Sequence, residues 1–354
     1  MTRKERKIDH IKYALSTRET KNSTFSDIVL LHQSIPETSL DDISLQTIIG
    51  EISVSSPIMI NAMTGGGGEH TLAINRQLSE VAKECHIPMA VGSQMAALKD
   101  QMEQESYRIV RQTNPTGIVF ANLGSEATVD QAKLAINMLE ANAIQIHLNV
   151  IQELVMPEGD RDFSNTLKNI EAIVKGVSVP VIVKEVGFGM DASAIGKLVN
   201  VGVSIVDIGG FGGTNFAKVE NERRVNPVSV FNEWGITTPV SLIEAISTYP
   251  LLSVISSGGV KTSLDVAKSI ALGASTCAIA SPILQTLLDD GVEGAITLVK
   301  AWQEELRYIM CALGVTSIKE LQKVPVIIKG ETYHWVTERG IDTKKFATRK
   351  ASFL

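Results

Sequence analysis

The sequence predicts an α/β fold, a (β/α)8 TIM barrel with an N-terminal extension and a C-terminal tail. From residue 57 onward, short apolar runs that end in Gly, Ser or Asn alternate with segments whose apolar residues recur at helical spacing. The alternation repeats eight times, and successive parallel strands need helical crossovers. A doubly wound open sheet is the alternative, but the count of eight and the glycine-rich strand ends favour the barrel.

The eight predicted strands follow one another along a single stretch of the chain. They are PIMINAMTGG from Pro57, PMAVGS from Pro88, GIVFANLGS from Gly117, AIQIHLN from Ala143, VPVIVKEVG from Val179, VSIVDIGGFGG from Val203, LLSVISSGG from Leu251 and ASTCAIAS from Ala274. Segments such as HTLAINRQLSEVAKEC and TVDQAKLAINMLEAN supply the helices. We therefore expect residues 57–323 to form one barrel, although a length of 354 residues also allows two ordinary domains.

Residues 1–56 and 324–354 fall outside this pattern. The N-terminal extension holds a basic helix candidate and then FSDIVLLH and TIIGEISVSS, which predict short antiparallel strands that cap the barrel bottom or fold over its mouth. After the eighth strand, GVEGAITLVKAWQEELRYIMCALG predicts a long amphipathic helix, and the tail from Val324 is less regular. The connection from Phe211 to Thr238 is long and carries the charged run KVENERR, so we expect a mobile lid there.

Composition excludes several classes of protein. The formal net charge of -6 argues against a nucleic-acid binder, which usually carries a basic face. No run of about 18 apolar residues occurs, so no membrane span is expected. The three cysteines lie far apart without a CxxC pair, which indicates neither a disulfide framework nor a structural zinc site. These features predict a soluble cytoplasmic protein that binds neither nucleic acid nor membranes.

Chemistry in this fold sits at the C-terminal ends of the strands, so the residues that end each run are the candidates. The sequence SSGGVKTSLDVAK follows strand seven and opens a helix, and AIASPI follows strand eight. These are the usual phosphate-binding positions of such barrels, where backbone N–H groups and a helix dipole hold an anion. A simple tight turn is the alternative. The register and the matching end of strand eight favour phosphate.

Polar residues also point into the predicted barrel. Lys184 alternates with aliphatic residues and is expected inside, where it either pairs with Asp207 or contacts an electron-rich cofactor ring. His147 and Asn149 end strand four on its polar face, with Gln152 and Glu153 next to them. A carboxylate such as that of Glu153 suits Mg²⁺, although a Gln-Glu pair is more often a solvated helix start.

The basic N-terminus offers a second kind of site. Arg6, Lys7 and His10 lie on one face of the predicted first helix. Such a cluster is most often a solvated face. In an acidic protein it also suits a diphosphate, which Arg binds through two hydrogen bonds and Lys as a point charge.

Together these motifs resemble the type 2, FMN-dependent isopentenyl diphosphate isomerases, and the resemblance runs nearly end to end. Each motif is weak alone, but their order at consecutive strand ends is specific. The motifs are RKxDH from Arg6, NAMTGG at Asn61, VGSQ at Val91, ANLG at Ala121, HLNxxQE from His147, VKEVGFG at Val183, GGTNF at Gly212 and SSGG at Ser256.

The resemblance implies a role for each matching residue. FMN would be lined by Ala62, Met63, Thr64, Ser93, Asn122, Lys184, Thr214, Gly258, Gly259, Ala280 and Ser281. The isoprenoid diphosphate would be contacted by Arg6, Lys7, His10, Ser93, His147, Asn149 and Gln152. Glu153 would hold Mg²⁺, and Gln152, Glu153 and Lys184 would serve catalysis. At Gly209 any contact with the flavin must come from the backbone.

The implied reaction interconverts isopentenyl and dimethylallyl diphosphate by an allylic proton shift. Its active cofactor would be reduced FMN, generated by NADPH, and the protein would be a homotetramer or homo-octamer. Two alternatives stay open: an FMN-dependent 2-hydroxy-acid oxidase or IMP dehydrogenase-like barrel, and a non-catalytic phosphate-binding scaffold. The oxidases need a late His-Arg pair and the dehydrogenase a loop Cys, neither of which the sequence offers there. The scaffold alternative assigns no purpose to the set of Lys184, His147, Asn149 and Gln152.

Overall fold

The structure is a computed structural model that describes residues 23–63 and 65–349. Three short strands precede the barrel: β1 (Ile28–Leu30), β2 (Thr47–Ile49) and β3 (Ile52–Val54). β2 and β3 form an antiparallel hairpin whose Ile49 and Val54 pack into the barrel interior. The hairpin also bonds to Ser253 and Ser275, at the starts of two late barrel segments. It therefore closes the bottom of the barrel, away from the strand ends where chemistry is expected.

Eight parallel strands close into a barrel, which confirms the predicted fold class. They are β4 (Ile58–Ile60), β5 (Met89–Ala90), β6 (Val119–Gly124), β7 (Ala143–Leu148), β8 (Val181–Glu185), β9 (Ile205–Asp207), β10 (Ser253–Ser257) and β11 (Thr276–Ile279). Each strand pairs with the next along the chain, and β11 pairs with β4. All eight apolar runs of the sequence contain one of these strands.

The strands are joined on the outside by helices. These are α1 (Gly68–Glu84), α2 (Met95–Lys99), α3 (Glu105–Thr113), α4 (Val129–Leu139), α5 (Val150–Val155), α6 (Thr166–Gly176), α7 (Ala192–Asn200), α8 (Phe216–Asn221), α9 (Thr238–Thr248), α10 (Ser263–Leu272) and α11 (Ser281–Ala312). Local sequence fixes several starts: α4 and α10 each begin with a capping box, at Thr128 and Thr262. α11 breaks at Gly291, and the part after this break is the predicted long amphipathic helix.

The period of two along each strand separates two apolar layers. Met59, Phe120, Ile182, Ile205 and Ile255 form the cluster inside the barrel. Their strand neighbours point outward and pack under the helices in a larger cluster. Because both faces of the strands are largely buried, most strand residues are apolar, and polar residues such as Gln145 within β7 are exceptions.

The C-terminal tail is more regular than the sequence predicted. A short helix, α12 (Ile318–Leu321), precedes it, and the tail itself contains β12 (Val326–Ile328), α13 (Gly330–Glu338) and α14 (Lys344–Ala347). β12 pairs antiparallel with β1, so FSDIVLLH forms a strand whose partner is the tail and not the β2–β3 hairpin. The prediction missed this pairing because VPVIIKG is short and its partner lies about three hundred residues earlier.

The connection expected to be a mobile lid is a folded segment. It contains α8 and a 3-10 turn at Ser229–Phe231, and the side chains of Ala217, Val219 and Glu220 are fully buried. Part of the charged run KVENERR is therefore buried in the protein. Among the residues that the structure describes, no helix is both long and apolar enough to cross a membrane.

Candidate active site

A cavity opens at the C-terminal ends of the barrel strands, where the sequence predicted the site. Every barrel strand, or the loop that follows it, contributes to its wall. Ten of the predicted cofactor residues line it, namely Ala62, Met63, Ser93, Asn122, Lys184, Thr214, Gly258, Gly259, Ala280 and Ser281. The eleventh, Thr64, lies outside the described residues. The prediction from the sequence did not include further lining residues such as Asn61, Val186, Phe216 and Lys261.

One end of this cavity is a cradle of glycine backbone. Gly258 and Gly259 have φ values of 90° and 70°, in the left-handed region that favours glycine. A Cβ on Gly258 would lie 1.9 Å from the carbonyl oxygen of Gly210, and one on Gly213 would lie 2.7 Å from the nitrogen of Gly259. The loops after β9 and β10 therefore meet backbone to backbone.

Hydroxyl groups and helix starts complete the cradle. Thr214 Oγ1 lies 3.2 Å from Ser281 Oγ, and both residues line the cavity. α10 and α11 begin just after the loops of β10 and β11. Backbone N–H groups, hydroxyls and two helix starts are the donors that bind a phosphate group, so this end of the cavity fits the phosphate of FMN.

Lys184 and Asp207 form a buried ion pair across β8 and β9. Lys184 Nζ lies 3.4 Å from Asp207 Oδ2 and donates to the carbonyl oxygen of Glu185 at 2.8 Å. Asp207 is fully buried and also accepts hydrogen bonds from Ser257 and Asn61. The ion pair that the sequence offered as one alternative is present, and Lys184 also lines the cavity. Asp207 thus anchors a cation at the cavity wall.

A polar ladder runs up the barrel interior on β6 and β7. His147 Nδ1 lies 2.8 Å from Asn122 Oδ1, and Asn122 Nδ2 donates to Gln145 Oε1 at 3.4 Å. The aliphatic neighbours Ile144 and Ile146 face the helix layer. The predicted alternation on β7 is therefore observed, and it presents His147 to the cavity.

A second, acidic cavity adjoins the first. The two share Ser93, His147 and Gln152 as lining residues. Asn149 and Glu153 line only the second, together with three further carboxylates. These three are Glu126, Asp160 and Asp162. The predicted substrate and metal residues among the described part of the chain are thus brought together around one space.

Glu153 is held by hydrogen bonds at both carboxylate oxygens. Asn149 Nδ2 donates to Oε1 at 2.7 Å, and the backbone N–H of Asp160 donates to Oε2 at 2.8 Å. Burial raises the pKa of Glu153, the two hydrogen bonds oppose that rise, and the charges of Asp160 and Glu126 add to it. A nearby divalent cation would favour the ionised form.

The donor set around Glu153 suits a cation that keeps most of its water. Among residues 23–63 and 65–349, no group of three or more His, Cys, Asp or Glu side chains is arranged so that it could hold a metal ion by itself. Mg²⁺ is usually bound through one or two carboxylates plus substrate phosphates and water. Glu153 fits that pattern as a single protein ligand.

Gln152 is oriented by a partner that the sequence did not indicate. Its Nε2 donates to Glu220 Oε1 at 2.9 Å, and Glu220 also bonds to Arg223 within α8 and the turn after it. Arg223 continues to Glu158 at 2.6 Å. The i,i+3 spacing of Glu220 and Arg223 in KVENERR was the available signal, but that run was interpreted only as a charged connection.

Glu185 shapes the wall from the opposite side of β8. Its Oε2 accepts hydrogen bonds from the backbone N–H groups of Gly187, Phe188 and Gly189. Burial raises the pKa of Glu185 to about 7, against the lowering effect of these bonds and of Lys184. A Cβ on Gly209 would lie 2.1 Å from the Glu185 carbonyl oxygen, so Gly209 offers the cavity only backbone, as expected.

Three predicted substrate residues, Arg6, Lys7 and His10, lie outside the described residues. Their assignment to the diphosphate stays a prediction.

Comparison with known proteins identifies close relatives. The family described as FMN-dependent dehydrogenase matches residues 108–327. A protein named isopentenyl-diphosphate delta-isomerase from Geobacillus sp. (strain WCH70) is 55% identical over 349 residues, which cover 99% of this chain and 100% of the relative. A protein of the same name from Bacillus cytotoxicus is 60% identical, with the same coverage.

Solved structures share the fold at low identity. Mandelate oxidase with benzoyl-formic acid aligns with a TM-score of 0.62 and 13% identity, over 91% of this chain and 94% of that one. A putative lactate oxidase from Pediococcus acidilactici aligns with a TM-score of 0.63 and 16% identity, over 91% and 87%. At these identities the likeness concerns the architecture alone.

Proposed function

The chain belongs to the isopentenyl-diphosphate delta-isomerase family, and from that membership we propose that it interconverts isopentenyl and dimethylallyl diphosphate. The observation that carries the proposal is the pair of adjoining cavities. One offers a phosphate cradle and a buried lysine, the other offers Glu153, and Ser93, His147 and Gln152 lie between them. A flavin and a metal-bound diphosphate fit side by side in such a space.

The first cavity would hold FMN. Its phosphate would lie in the cradle of Gly258, Gly259 and Ser281, and its ring would lie toward Met63 and Lys184. When bound in the reduced form, which NADPH would generate, FMN supplies acid-base chemistry for an allylic proton shift that involves no net oxidation. The remaining tasks fall to side chains of the protein.

Lys184 provides a fixed positive charge at the cavity wall. Because Asp207 and the Glu185 carbonyl hold its ammonium group, the charge is positioned before any ligand arrives. An anionic ring gains from such a cation. Asp207 keeps the lysine from being an isolated buried charge, which would be costly.

Gln152 is a positioning group in this proposal. An ionised carboxylate only accepts hydrogen bonds, so Glu220 draws the Gln152 Nε2 toward itself. Gln152 Oε1 is then the atom that accepts from the ligand or from a water that relays a proton. Glu153 can take part in proton transfer through a water as well as in metal binding. His147, Asn149 and Ser93 would contact the isoprenoid diphosphate.

Mg²⁺ would bind together with the diphosphate. Glu153 alone is a weak site, and the four carboxylates that line its cavity repel an anionic substrate unless a cation is present. The basic residues Arg6, Lys7 and His10 would add to this neutralisation. A cytoplasmic homotetramer or homo-octamer completes the proposal, and light scattering on the purified protein tests the assembly.

The decisive experiment is spectroscopic and enzymatic. The purified protein should show the visible spectrum of a flavoprotein, and it should isomerise isopentenyl diphosphate with FMN, Mg²⁺ and NADPH. A protein that cannot bind FMN, or that binds it without isomerase activity, would contradict the proposal. Oxidation of a 2-hydroxy acid by the same preparation would support the oxidase alternative instead.

Two variants separate the proposed roles. Glu153→Gln should weaken the dependence on Mg²⁺ while FMN stays bound, and simultaneous loss of the flavin would show that the residue serves another purpose. Removal of residues 1–10 should raise the KM for isopentenyl diphosphate with FMN retained. An unchanged KM would refute the N-terminal assignment.

A further inference from the structure

The loop from Glu153 to Arg161 is closed around a single guanidinium group. Arg161 Nη1 donates to the carbonyl oxygens of Glu153, Gly159 and Asp160, the last two at 2.6 and 2.9 Å. Arg161 Nη2 donates to the carbonyl oxygen of Met156 at 2.9 Å. Four carbonyl oxygens from one loop thus converge on one side chain, and without a donor between them their negative ends would repel.

This closure places the loop directly against the Glu153 carboxylate. Asp160 is next to Arg161, and its N–H donates to Glu153 Oε2 at 2.8 Å. A Cβ on Gly159 would lie 2.1 Å from the Glu153 carbonyl oxygen and 2.8 Å from Glu153 Oε2. The loop therefore has little freedom to move without releasing one of the two hydrogen bonds that hold the carboxylate.

Arg161 lies outside the acidic cavity. It is exposed and does not line the acidic cavity, whereas Glu153 and Asp160 do. An exposed charge is screened by solvent and contributes little through space. A planar fork that binds several carbonyls contributes geometry, which a lysine at the same position does not reproduce.

We propose that Arg161 is a positioning residue for the metal–diphosphate site, closing the loop so that the Glu153 carboxylate is held ready for a divalent cation. The inference rests on the proposed metal role of Glu153. Groups behind a metal ligand typically change metal affinity by about 10- to 100-fold when they are removed. We expect an effect of that size at Arg161.

The test measures metal binding and not activity. Mn²⁺ is titrated into the FMN-loaded protein with inorganic pyrophosphate present, and free Mn²⁺ is followed by electron paramagnetic resonance against the same titration of pyrophosphate without protein. Arg161→Met and Arg161→Lys should both raise the Kd for Mn²⁺ by about tenfold or more. Arg108→Met, which removes an exposed arginine from α3, should leave the Kd unchanged. Flavin fluorescence should report unaltered FMN affinity in all three variants.

The possible results separate the proposed role of Arg161 from the proposed metal role of Glu153. Wild-type affinity in Arg161→Met would overturn the inference while the metal role of Glu153 stands. A wild-type Kd for Mn²⁺ in Arg161→Lys would show that a positive charge is enough and that the planar guanidinium is not needed. That result would also overturn the inference. No Mn²⁺ binding by the wild-type protein would overturn the metal role itself and the inference with it.

A second variant approaches the same loop from another position and guards against misfolding of Arg161→Met. Gly159→Ala leaves Arg161 in place but puts a methyl group against Glu153. It should weaken Mn²⁺ binding with FMN retained. Wild-type Mn²⁺ affinity in this variant would show that the geometry of the loop does not control the carboxylate.

Discussion

Lys184 and Glu185 are neighbours on β8 whose side chains serve opposite sides of the barrel wall. Lys184 points inward and pairs with Asp207 at the cavity. Glu185 points outward and caps the turn formed by residues 187–189. The period of two along a strand is what separates their roles. A cation at the cavity wall and a carboxylate that caps the adjoining turn therefore come from consecutive positions.

The titration of Glu185 should appear in the stability of the protein. Its folded pKa is raised from 4.5 to about 7, so the folded state binds the proton more tightly than the unfolded state does. The stabilisation is complete below the unfolded pKa and is lost as the pH rises through the folded value. Glu185→Gln removes the titration and still offers an oxygen to the three N–H groups.

The stability of Glu185→Gln relative to wild type should therefore increase with pH between these two values. The change should approach about 3.5 kcal/mol at most, since each pKa unit corresponds to about 1.4 kcal/mol. Urea unfolding at several pH values measures it. Parallel stability curves for the two proteins would contradict the assignment.

The Lys184–Asp207 pair should be far more sensitive to losing one partner than to losing both. Lys184→Met leaves a fully buried carboxylate without its cation and should destabilise the protein by about 3–5 kcal/mol. In the double variant Lys184→Met, Asp207→Asn much of that loss should be recovered. Chemical unfolding of the two single variants and the double variant measures the coupling. Additive losses would show that the two side chains do not stabilise each other.

The residues at the strand ends could be predicted from the sequence, but most partners of their side chains could not. Alternation alone placed Lys184 and His147 on inward faces, because a strand exposes every second residue to the same side. Asn149, predicted on the same face of strand four, lies one residue beyond β7 at the start of α5 and lines only the acidic cavity. The contact between Gln152 and Glu220 joins two helices that are far apart in the sequence, α5 and α8, and local spacing carries no signal for it. Residues of the N-terminal motif lie outside the described structure, so their part in the site stays a prediction.

At the scale of elements, α8 and the turn after it form a wall of the site. Arg223 and Arg224 fasten this segment to the region after β7: Arg223 bonds to Glu158 and Arg224 to the carbonyl oxygen of Val155. Length and charge suggested a mobile lid because such runs are usually solvated. Here the charges pair with the neighbouring loop, which only a three-dimensional arrangement reveals.

The two neighbouring arginines should differ in what they control. Arg223→Met removes a cation from the fully buried Glu220 and should cost about 3–5 kcal/mol of stability. It should also raise the KM for isopentenyl diphosphate, since Glu220 orients Gln152. Arg224→Met loses hydrogen bonds to carbonyl groups, costs about 1–3 kcal/mol, and serves as the control.

Urea unfolding and steady-state kinetics on both arginine variants measure these effects. A KM shift of equal size in Arg224→Met would mean that any loosening of the wall has the same result. Arg223 would then have no specific link to Gln152.

At the scale of the whole molecule, both flanks of the barrel meet behind the glycine cradle. Ser23 Oγ donates to Asp265 Oδ1 at 2.7 Å, and Lys268 donates to the carbonyl oxygen of Phe25 at 2.8 Å, so the N-terminal flank is fixed to α10. The tail joins at the same place, because the Thr332 N–H donates to Asp27 Oδ2 at 3.0 Å. The barrel was predictable from periodicity, whereas this junction depends on contacts between distant segments.

Phe25 should be a key residue of this junction. It is fully buried, and Phe25→Ala should destabilise the protein by about 3–5 kcal/mol through lost burial and a residual cavity. Because Thr24 occupies the space where a Cβ on Gly212 or Gly259 would lie, the variant should also bind FMN more weakly. Thermal unfolding and a flavin titration check both effects. Unchanged FMN affinity in a destabilised variant would show that the junction stabilises the fold but does not affect flavin binding.

Within the part of the chain that the structure describes, the β2–β3 hairpin closes the bottom of the barrel, and the cavity opens at the strand ends. With Ile49 and Val54 filling the bottom, a ligand of this cavity enters and leaves at the same end of the barrel. In the proposed reaction, a nicotinamide donor and an isoprenoid diphosphate would therefore use the same opening, and each would exclude the other while it is bound. Since the allylic proton shift involves no net oxidation, this exclusion would slow the initial reduction of the flavin and would not recur in every turnover.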